Sequence, residues 1–537
     1  SRYSMPLQSY DPDRLNAPQL DYVRDYMSKM ETALARGTFN DPLVGYQAYM
    51  DPDTFIDAQW LLEIAKQVDG YVFSTYYHKD RGGRLRAGPL WDFNISLGNA
   101  DYGTGDTPTG WLYNTSNGVG QNWYPRLHAD LSYRMAHWDR YWEMRRSIFA
   151  TDAVMRTIDG HMGTLLNGYT EPVGNRAPDE VQNPIARHFR RWPRLGRRDW
   201  PNPAAETQIQ TWQEEVDYMK NWIQLRLEWL DSQSMRLGRT TYRPPILTVT
   251  EGSNGTPTEL AMSIFTEESR STIYPEGEIF YTTDGSDPRL PDGSVRVGAS
   301  LYTEPLAISK PTSVRARLVS SGNWTPLAES VLFFDAAPAK AGNLVISEMM
   351  YHPGPVSESE LAAGIVDEEL FEFVELNNIS EQTLRLSGVK MVDGVEFDFD
   401  TVSESVKLLK PKEGVVIVAD KRAFLMRYPN VPLHRIVGPF RGHLDNGGEK
   451  IVIQAADGTE ITSMRYEDAA PWPTDTDGTG RSLVLAAFES NPDPNKAANW
   501  TASLKDQGSP LAPDNSLLFT GDSSADSDGD GLTDLFE

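Results

Sequence analysis

Apolar positions change their period along this chain. From residue 18 to about 230 they recur at three- and four-residue steps, whereas from Tyr242 onward they fall in short runs between Gly, Pro and Asp. The helical half opens with a predicted helix over 18–36, where Leu20, Val23, Met27, Met30 and Leu34 share one face and Gly37 stops the helix. A second helix starts at Asp51, read as an N-cap followed by Pro52, and points Phe55, Ile56, Trp60, Leu61, Ile64 and Val68 inward. It delivers the chain to Asp69. Two runs rich in β-formers then flank the turn residues Asp80, Arg81, Gly82 and Gly83, which predicts a hairpin. Asp92 falls near its second strand end, with Trp91 and Phe93 pointing away.

A Gly/Thr/Asn-rich loop over 103–120 follows, of the kind that either closes over a ligand or simply covers surface. Residues 122–166 read as mostly helical, and their Trp, Tyr and Met suit a core better than a stacking platform. The stretch 187–198 gathers Arg187, Arg190, Arg191, Arg194, Arg197 and Arg198. Guanidinium forks match phosphate or acidic peptide, but they equally serve a surface loop paired with nearby acids. A last helix is predicted over 204–230, with Ile209, Trp212, Val216, Met219, Ile223, Leu227 and Leu230 as its stripe.

Beyond Pro244 and Pro245 the short strands predict all-β modules over 245–335 and 342–513. Glu348, Glu372 and Glu375 recur near strands of the second module, and are expected on the polar face of half-exposed strands rather than in a metal site.

Composition narrows the classes. A chain of 537 residues holds several domains. It has no Cys, which removes disulfides and thiolate metal sites. The longest apolar runs, such as Val415 to Ala419, are far too short to span a bilayer, and no signal peptide is seen. The net charge of −26 is uneven: residues 1–240 hold 27 Lys+Arg against 30 Asp+Glu, and the rest 23 against 46. An acidic second half argues against nucleic acid and suits solvated modules or Ca²⁺ sites.

Candidate chemistry concentrates in 69–102, DGYVFSTYYHKDRGGRLRAGPLWDFNISLGNADY. Phosphoryl transfer needs one carboxylate to hold Mg²⁺ and another to orient the attacking hydroxyl, and a hairpin could bring Asp69 and Asp92 together. DFN also fits a plain turn, with Asp92 accepting backbone N–H groups. The stretch resembles the CotH family of atypical, protein-kinase-like proteins, and the likeness reaches from about residue 22 to 231. By that resemblance Asp92 holds Mg²⁺ against the phosphates of ATP and Asp69 completes the catalytic pair. Asn94, a candidate cofactor-binding residue, stands where many relatives carry a second Asp, which bears on two-metal binding.

Other resemblances follow. EIFYTTDGSDP and SVRARLVSSGNW look like the β-sandwich appended to chitobiases and hexosaminidases, an accessory module implying no sugar site here; no carboxylate pair suited to glycoside hydrolysis is seen. LVISEMMYHP, LFEFVELNN, VVIVAD, KIVIQ and RSLVL resemble a lamin-tail domain, an immunoglobulin-like sandwich. In 522–537, Asp526, Asp528, Asp530, Asp534 and Glu537 fall at positions 1, 3, 5, 9 and 12 of a loop with Gly531 at position 6, the pattern of an EF-hand Ca²⁺ loop, similar also to the thrombospondin type-3 repeat. An acidic disordered tail is the other reading.

The expected fold is therefore a multidomain one: an α+β kinase-like head over 1–240, resembling a C-terminal lobe, then two all-β sandwiches and a Ca²⁺ loop. The expected function is an exported bacterial protein, extracellular or on the cell surface, that transfers phosphate from Mg-ATP to a secreted or surface protein. The alternatives are an inactive surface scaffold, taking part in cell-surface or matrix assembly, and polysaccharide binding through exposed Trp. The resemblance also leads one to expect a Gly-rich strand pair and a phosphate-gripping Lys ahead of the region where this chain begins. Its only lysines before Asp69 are Lys29 and Lys66, both in helical patterns.

Overall fold

The computed structural model describes residues 16–80, 82–114, 123–167, 184–237, 240–252, 255–265 and 274–514. The first helix, α1 (Ala17–Ala35), begins where Asn16 and Gln19 form a reciprocal capping box. Met30 and Leu34 of its expected stripe are buried, whereas Val23 is exposed, because only the C-terminal half meets the core. The second, α2 (Pro52–Ala65), departs further from expectation: Phe55, Trp60 and Leu62 are buried, and so are Gln59 and Glu63. A helix enclosed on several faces is the centre of its domain rather than a wall of it. Asp51 makes no side-chain cap. Its carboxylate faces Arg86 at 3.4 Å and Arg84 at 4.0 Å instead.

The predicted hairpin is present, with β1 (Thr75–His78) antiparallel to β2 (Arg86–Leu90). Helices α3 (Tyr124–Leu127), α4 (Leu131–Arg145), α5 (Thr151–Asn167), α6 (Pro184–Arg191) and α7 (Trp212–Gln233) follow. The last starts later than expected, because a capping box between Thr211 and Glu214 fixes its first turn and 204–208 form a 3-10 turn. The aromatic residues of this region are core. Trp60 stacks on His137 with ring centres 4.0 Å apart, and His137 meets His128 at 4.8 Å. Burial pulls His128 down to about 3 and His137 well below the usual imidazole range.

A short ladder of β3 (Met235–Leu237) and β4 (Thr240–Tyr242) leads into the middle module. There β5 (Ile246–Glu251), β6 (Pro257–Ser263) and β9 (Leu306–Ala307) form one sheet. A second sheet joins β7 (Glu278–Thr282), β8 (Ser300–Leu301), β10 (Thr312–Ser320), β11 (Asn323–Trp324) and β12 (Ala328–Leu332). Leu260, Ile279, Val314 and Leu318 fill the space between them. Trp324 leaves that core and buries itself in the head's. Arg317 completes the joint: only 2% exposed, it donates to both carboxylate oxygens of Asp139 on α4, at 2.9 and 2.7 Å, and to those of Asp287 in its own module, at 2.8 and 2.6 Å.

The last module packs a six-stranded sheet against a four-stranded one around Ile346, Val374, Leu376, Ile417 and Ile451. The outer face of the large sheet is also covered: Met350, Phe373, Val416 and Val418 meet Phe424 and Tyr428 of the helical segment at and just after Lys421–Arg427. Burial on both faces explains the continuous apolar run at 415–419. It also corrects the reading of the three glutamates, which are buried rather than half-exposed. Glu348 and Glu375 lie opposite each other on adjacent strands. Glu348 accepts from Ser509 N at 2.7 Å and Glu375 from Leu511 N at 2.5 Å, which pins the segment beyond the sheet.

Two outcomes follow. Arg317→Met should leave Asp139 and Asp287 facing each other unpaired, and destabilise the chain by about 3–5 kcal/mol in urea unfolding; an unchanged midpoint would show the joint to be electrostatically idle. His128 and His137 have native pKa values below the unfolded value near 6.5, so the stability they carry is present above about pH 6.5 and is lost as pH falls toward about 3. Glu348 and Glu372, pushed up to about 8 and about 9, act in the opposite sense, losing their contribution as pH rises. The readout is therefore the difference between wild type and His137→Phe: its pH slope of stability between about pH 4 and 6 should be less steep in the acid direction, by up to ~1.4 kcal/mol per pH unit.

Candidate functional site

The backbones of Asp69 and Asp92 are tied by one buried side chain. Gln67 lies two residues past the end of α2, and its Oε1 accepts the backbone N–H of Asp69 at 2.6 Å while its Nε2 donates to the carbonyl of Asp92, also at 2.6 Å. The carbonyl of Asp69 in turn accepts the N–H groups of Val72, Phe73 and Ser74, which folds the chain into the turn that starts the hairpin. Tyr102 donates to Asp69 Oδ1 at 3.1 Å. Burial and the neighbouring Asp69 push that phenol up to about 12, so it stays a donor.

Asp92 emerges from β2 with φ 65, in the left-handed region that Asp tolerates better than most residues. Its carboxylate is exposed, and Oδ2 accepts from Ser74 Oγ at 3.3 Å. The side chain of Asn94 is exposed beside it. DFN is thus not a turn closed by the Asp92 carboxylate, whose oxygens face outward. Among the described residues no group of three His, Asp or Glu is placed to hold a metal ion by itself. Mg²⁺ keeps several waters and is held by one or two carboxylates together with phosphates. Asp92 and Asn94, both exposed and two residues apart, offer oxygen donors of that type.

The loop after the hairpin is not a lid over its described length. Lys66, in the left-handed conformation that ends α2, donates to the carbonyls of Thr107 and Thr109, both at 2.6 Å. Burial pulls its ammonium down to about 8. Arg226 of α7 donates to Pro108 and Gly110 carbonyls at 2.9 and 2.7 Å, and Glu63 accepts from the N–H groups of Leu112 and Tyr113. Glu63 and Arg226 pair at 3.2 Å with neither side chain exposed. None of these four polar partners was singled out as functional from sequence, although Gln67 stands only two residues before Asp69.

Around the aspartates the surface is apolar: Phe73, Trp91 and Trp200 are exposed, and Trp200 stacks on Tyr102 with ring centres 5.9 Å apart. The arginine-rich stretch joins this rim by local pairing. Arg194 pairs with Asp199 at 2.7 Å and Arg198 with Asp101, next to Tyr102. No strand precedes β1 among the described residues. The acidic loop with Asp526, Asp528, Asp530, Asp534 and Glu537 lies outside the described residues.

Three family models match successive parts of the chain. Residues 3–230 match the family model described as CotH kinase protein, 270–327 that described as Fn3 associated, and 337–468 that described as Lamin Tail Domain. No curated protein matches the chain. A solved structure of a DUF4876 family protein from Bacteroides thetaiotaomicron VPI-5482 matches at 10% identity over 44% of this chain and 92% of that one, with a TM-score of 0.20, a likeness that carries no argument. The order of helix, aspartate, hairpin and aspartate thus falls within a CotH kinase domain, which heads a multidomain chain continued by Fn3-associated and lamin tail domains.

Proposed function

We propose that the head transfers phosphate from Mg-ATP to a hydroxyl of a secreted or surface protein. The reading is carried by the placement of Asp69 and Asp92 on the two arms of one buried amide, Gln67. Mg-ATP would bring the phosphoryl group and neutralise its charge; the chain's own part is positioning. Asp92 and Asn94 would hold the metal. Asp69, oriented by Tyr102, would accept the proton of the attacking hydroxyl. The exposed Phe73 and Trp91 offer flat apolar contact to a base or an acceptor side chain. The company of the modules supports an extracellular or cell-surface setting. The acidic loop at 526–537 would bind Ca²⁺ through its alternating oxygen donors.

A second reading, a non-catalytic surface scaffold, is favoured by the fate of Lys66, whose ammonium is given to Thr107 and Thr109 rather than to the region of Asp92. Mutants separate the two. Asp92→Asn, which tolerates the same left-handed backbone, should abolish the rise in melting temperature caused by Mg-ATP and leave the apo melting temperature unchanged. Asp69→Asn should keep that rise and lose transfer of labelled phosphate to a Ser-rich acceptor by about 10²–10⁴-fold. Wild-type behaviour of both would leave the scaffold reading standing. Calorimetry on the whole chain should show one Ca²⁺ site with a Kd of about 10⁻⁴–10⁻³ M, lost in Asp526→Ala; absence of saturable heat in that range would refute the loop assignment.

A further inference from the structure

Among the described residues two hydroxyl groups donate to the carboxylates of Asp69 and Asp92, and they meet different ones. Ser74 Oγ donates to Asp92 Oδ2 at 3.3 Å, on the carboxylate assigned to the metal. Tyr102 Oη donates to Asp69 Oδ1 at 3.1 Å, on the carboxylate assigned to the proton of the attacking hydroxyl. A base and the hydroxyl it deprotonates stand within hydrogen-bond reach of each other, about 2.6–3.2 Å. Tyr102 therefore occupies the place of an acceptor, whereas the Ser74 hydroxyl meets the metal-holding group.

The chain around the ring builds this placement. Asp101 N donates to the Pro201 carbonyl at 2.8 Å, and the Tyr102 carbonyl accepts from Gly105 N at 3.0 Å, which fixes the backbone on either side. Trp200 stacks on the ring, with the two planes 18° apart. Tyr102 and Asp69 are both partly exposed, so a ligand can reach the pair. A well-oriented group of the same chain acts at an effective concentration of about 10⁵–10⁸ M, and no second protein has to dock. Arg198, paired with Asp101 next to Tyr102, supplies a guanidinium to any charge added on the ring.

We propose that Tyr102 is a phosphate acceptor of this chain: the head phosphorylates its own tyrosine, with Asp69 taking the phenolic proton. The inference rests on the phosphoryl-transfer reading and names one substrate of that same site. In the step the Tyr102 Oη–H bond breaks and an Oη–P bond forms, while the γ-phosphorus of ATP parts from its bridging oxygen. The proton goes to Asp69, and the electron pair of the broken P–O bond leaves with ADP. No other reactant is needed. Burial and Asp69 push the phenol up to about 12, so it enters the step protonated and needs the base. The product no longer donates to Asp69. It carries about −1.5 to −2 charges beside that carboxylate, and repulsion there, with attraction to Arg198, draws it off the base.

Incubation of the whole chain with labelled Mg-ATP and no other acceptor tests this. Mass spectrometry of the digested chain should find a phosphoryl group on Tyr102, in a label that survives alkali as phosphotyrosine does and phosphoserine does not. Because the transfer is internal, the fraction labelled per unit time should stay constant over ~100-fold dilution of the chain. Tyr102→Phe, which keeps a ring against Trp200, should lose the label, and Asp69→Asn should slow labelling about 10²–10⁴-fold. A parallel reaction with the Ser-rich acceptor separates this proposal from the reading beneath it. Label on Tyr102, with or without label on the acceptor, supports the proposal. Label on the acceptor and none on Tyr102 overturns it and leaves the reading; label on neither overturns both. The proposal also falls if the phosphate sits on another residue instead, or if the labelling rate per chain rises with concentration, which would make one copy the substrate of another.

Discussion

The head rests on a charge pair sealed from water. Taking Glu63 and Arg226 into the interior costs several kcal/mol per ion, and their mutual attraction at 3.2 Å offsets that only when every other donor and acceptor is met. Here they are met across four parts of the chain. Arg226 donates to the carbonyls of Glu63, Pro108 and Gly110, and Glu63 accepts from Tyr71, Leu112 and Tyr113. The pair contributes little net stability for its burial, but it admits only one mutual placement of α2, α7 and the 107–113 loop. Gln67 follows α2 by two residues, so the positions of Asp69 and Asp92 derive from that placement.

The same device recurs between modules. Arg317 closes the head against the middle module with two carboxylates, and Arg84 reaches Asp420 of the lamin tail domain. Among the described residues apolar burial accompanies only the first, where Trp324 enters the head's core. The second junction leaves a charged cavity beside it. Charge sets the orientation at both junctions, whereas the hydrophobic effect, which has no direction, secures one of them.

The apolar period made α1, α2, α7 and the hairpin readable in the sequence, and the WDFN stretch pointed to Asp92. Polar residues that go inside were not readable. Glu63, Lys66, Gln67 and Arg226 sit among helical residues where a polar letter normally means the solvent face, and only the folded chain shows what faces them. Glu348 and Glu375 failed for a related reason: strand alternation distinguishes two faces but not whether a further layer covers the outer one. In this chain Phe424 and Tyr428 cover it. Glu372, just ahead of its strand, is instead buried against the chain at Leu444, whose N–H it accepts. The described part of the 103–120 loop read as a ligand cover or plain surface because its anchors, Lys66 and Arg226, lie 41 and 118 residues from the carbonyls they hold.

The hairpin touches both ends of this arrangement. At about 3.3 Å per residue its four- and five-residue strands span about 15 Å, from Ser74 and Asp92 at one end to the turn against Asp367 at the other. Between them β2 carries Arg86 toward Asp51, the residue that precedes α2. A shift of the lamin tail domain would therefore act on the turn and on Arg84, both rigidly joined to the strand that presents Asp92, while Asp69 stays with α2. The two aspartates hang from different elements, and Gln67 is the side chain that ties them; any relative movement of hairpin and helix must stretch one of its two 2.6 Å bonds.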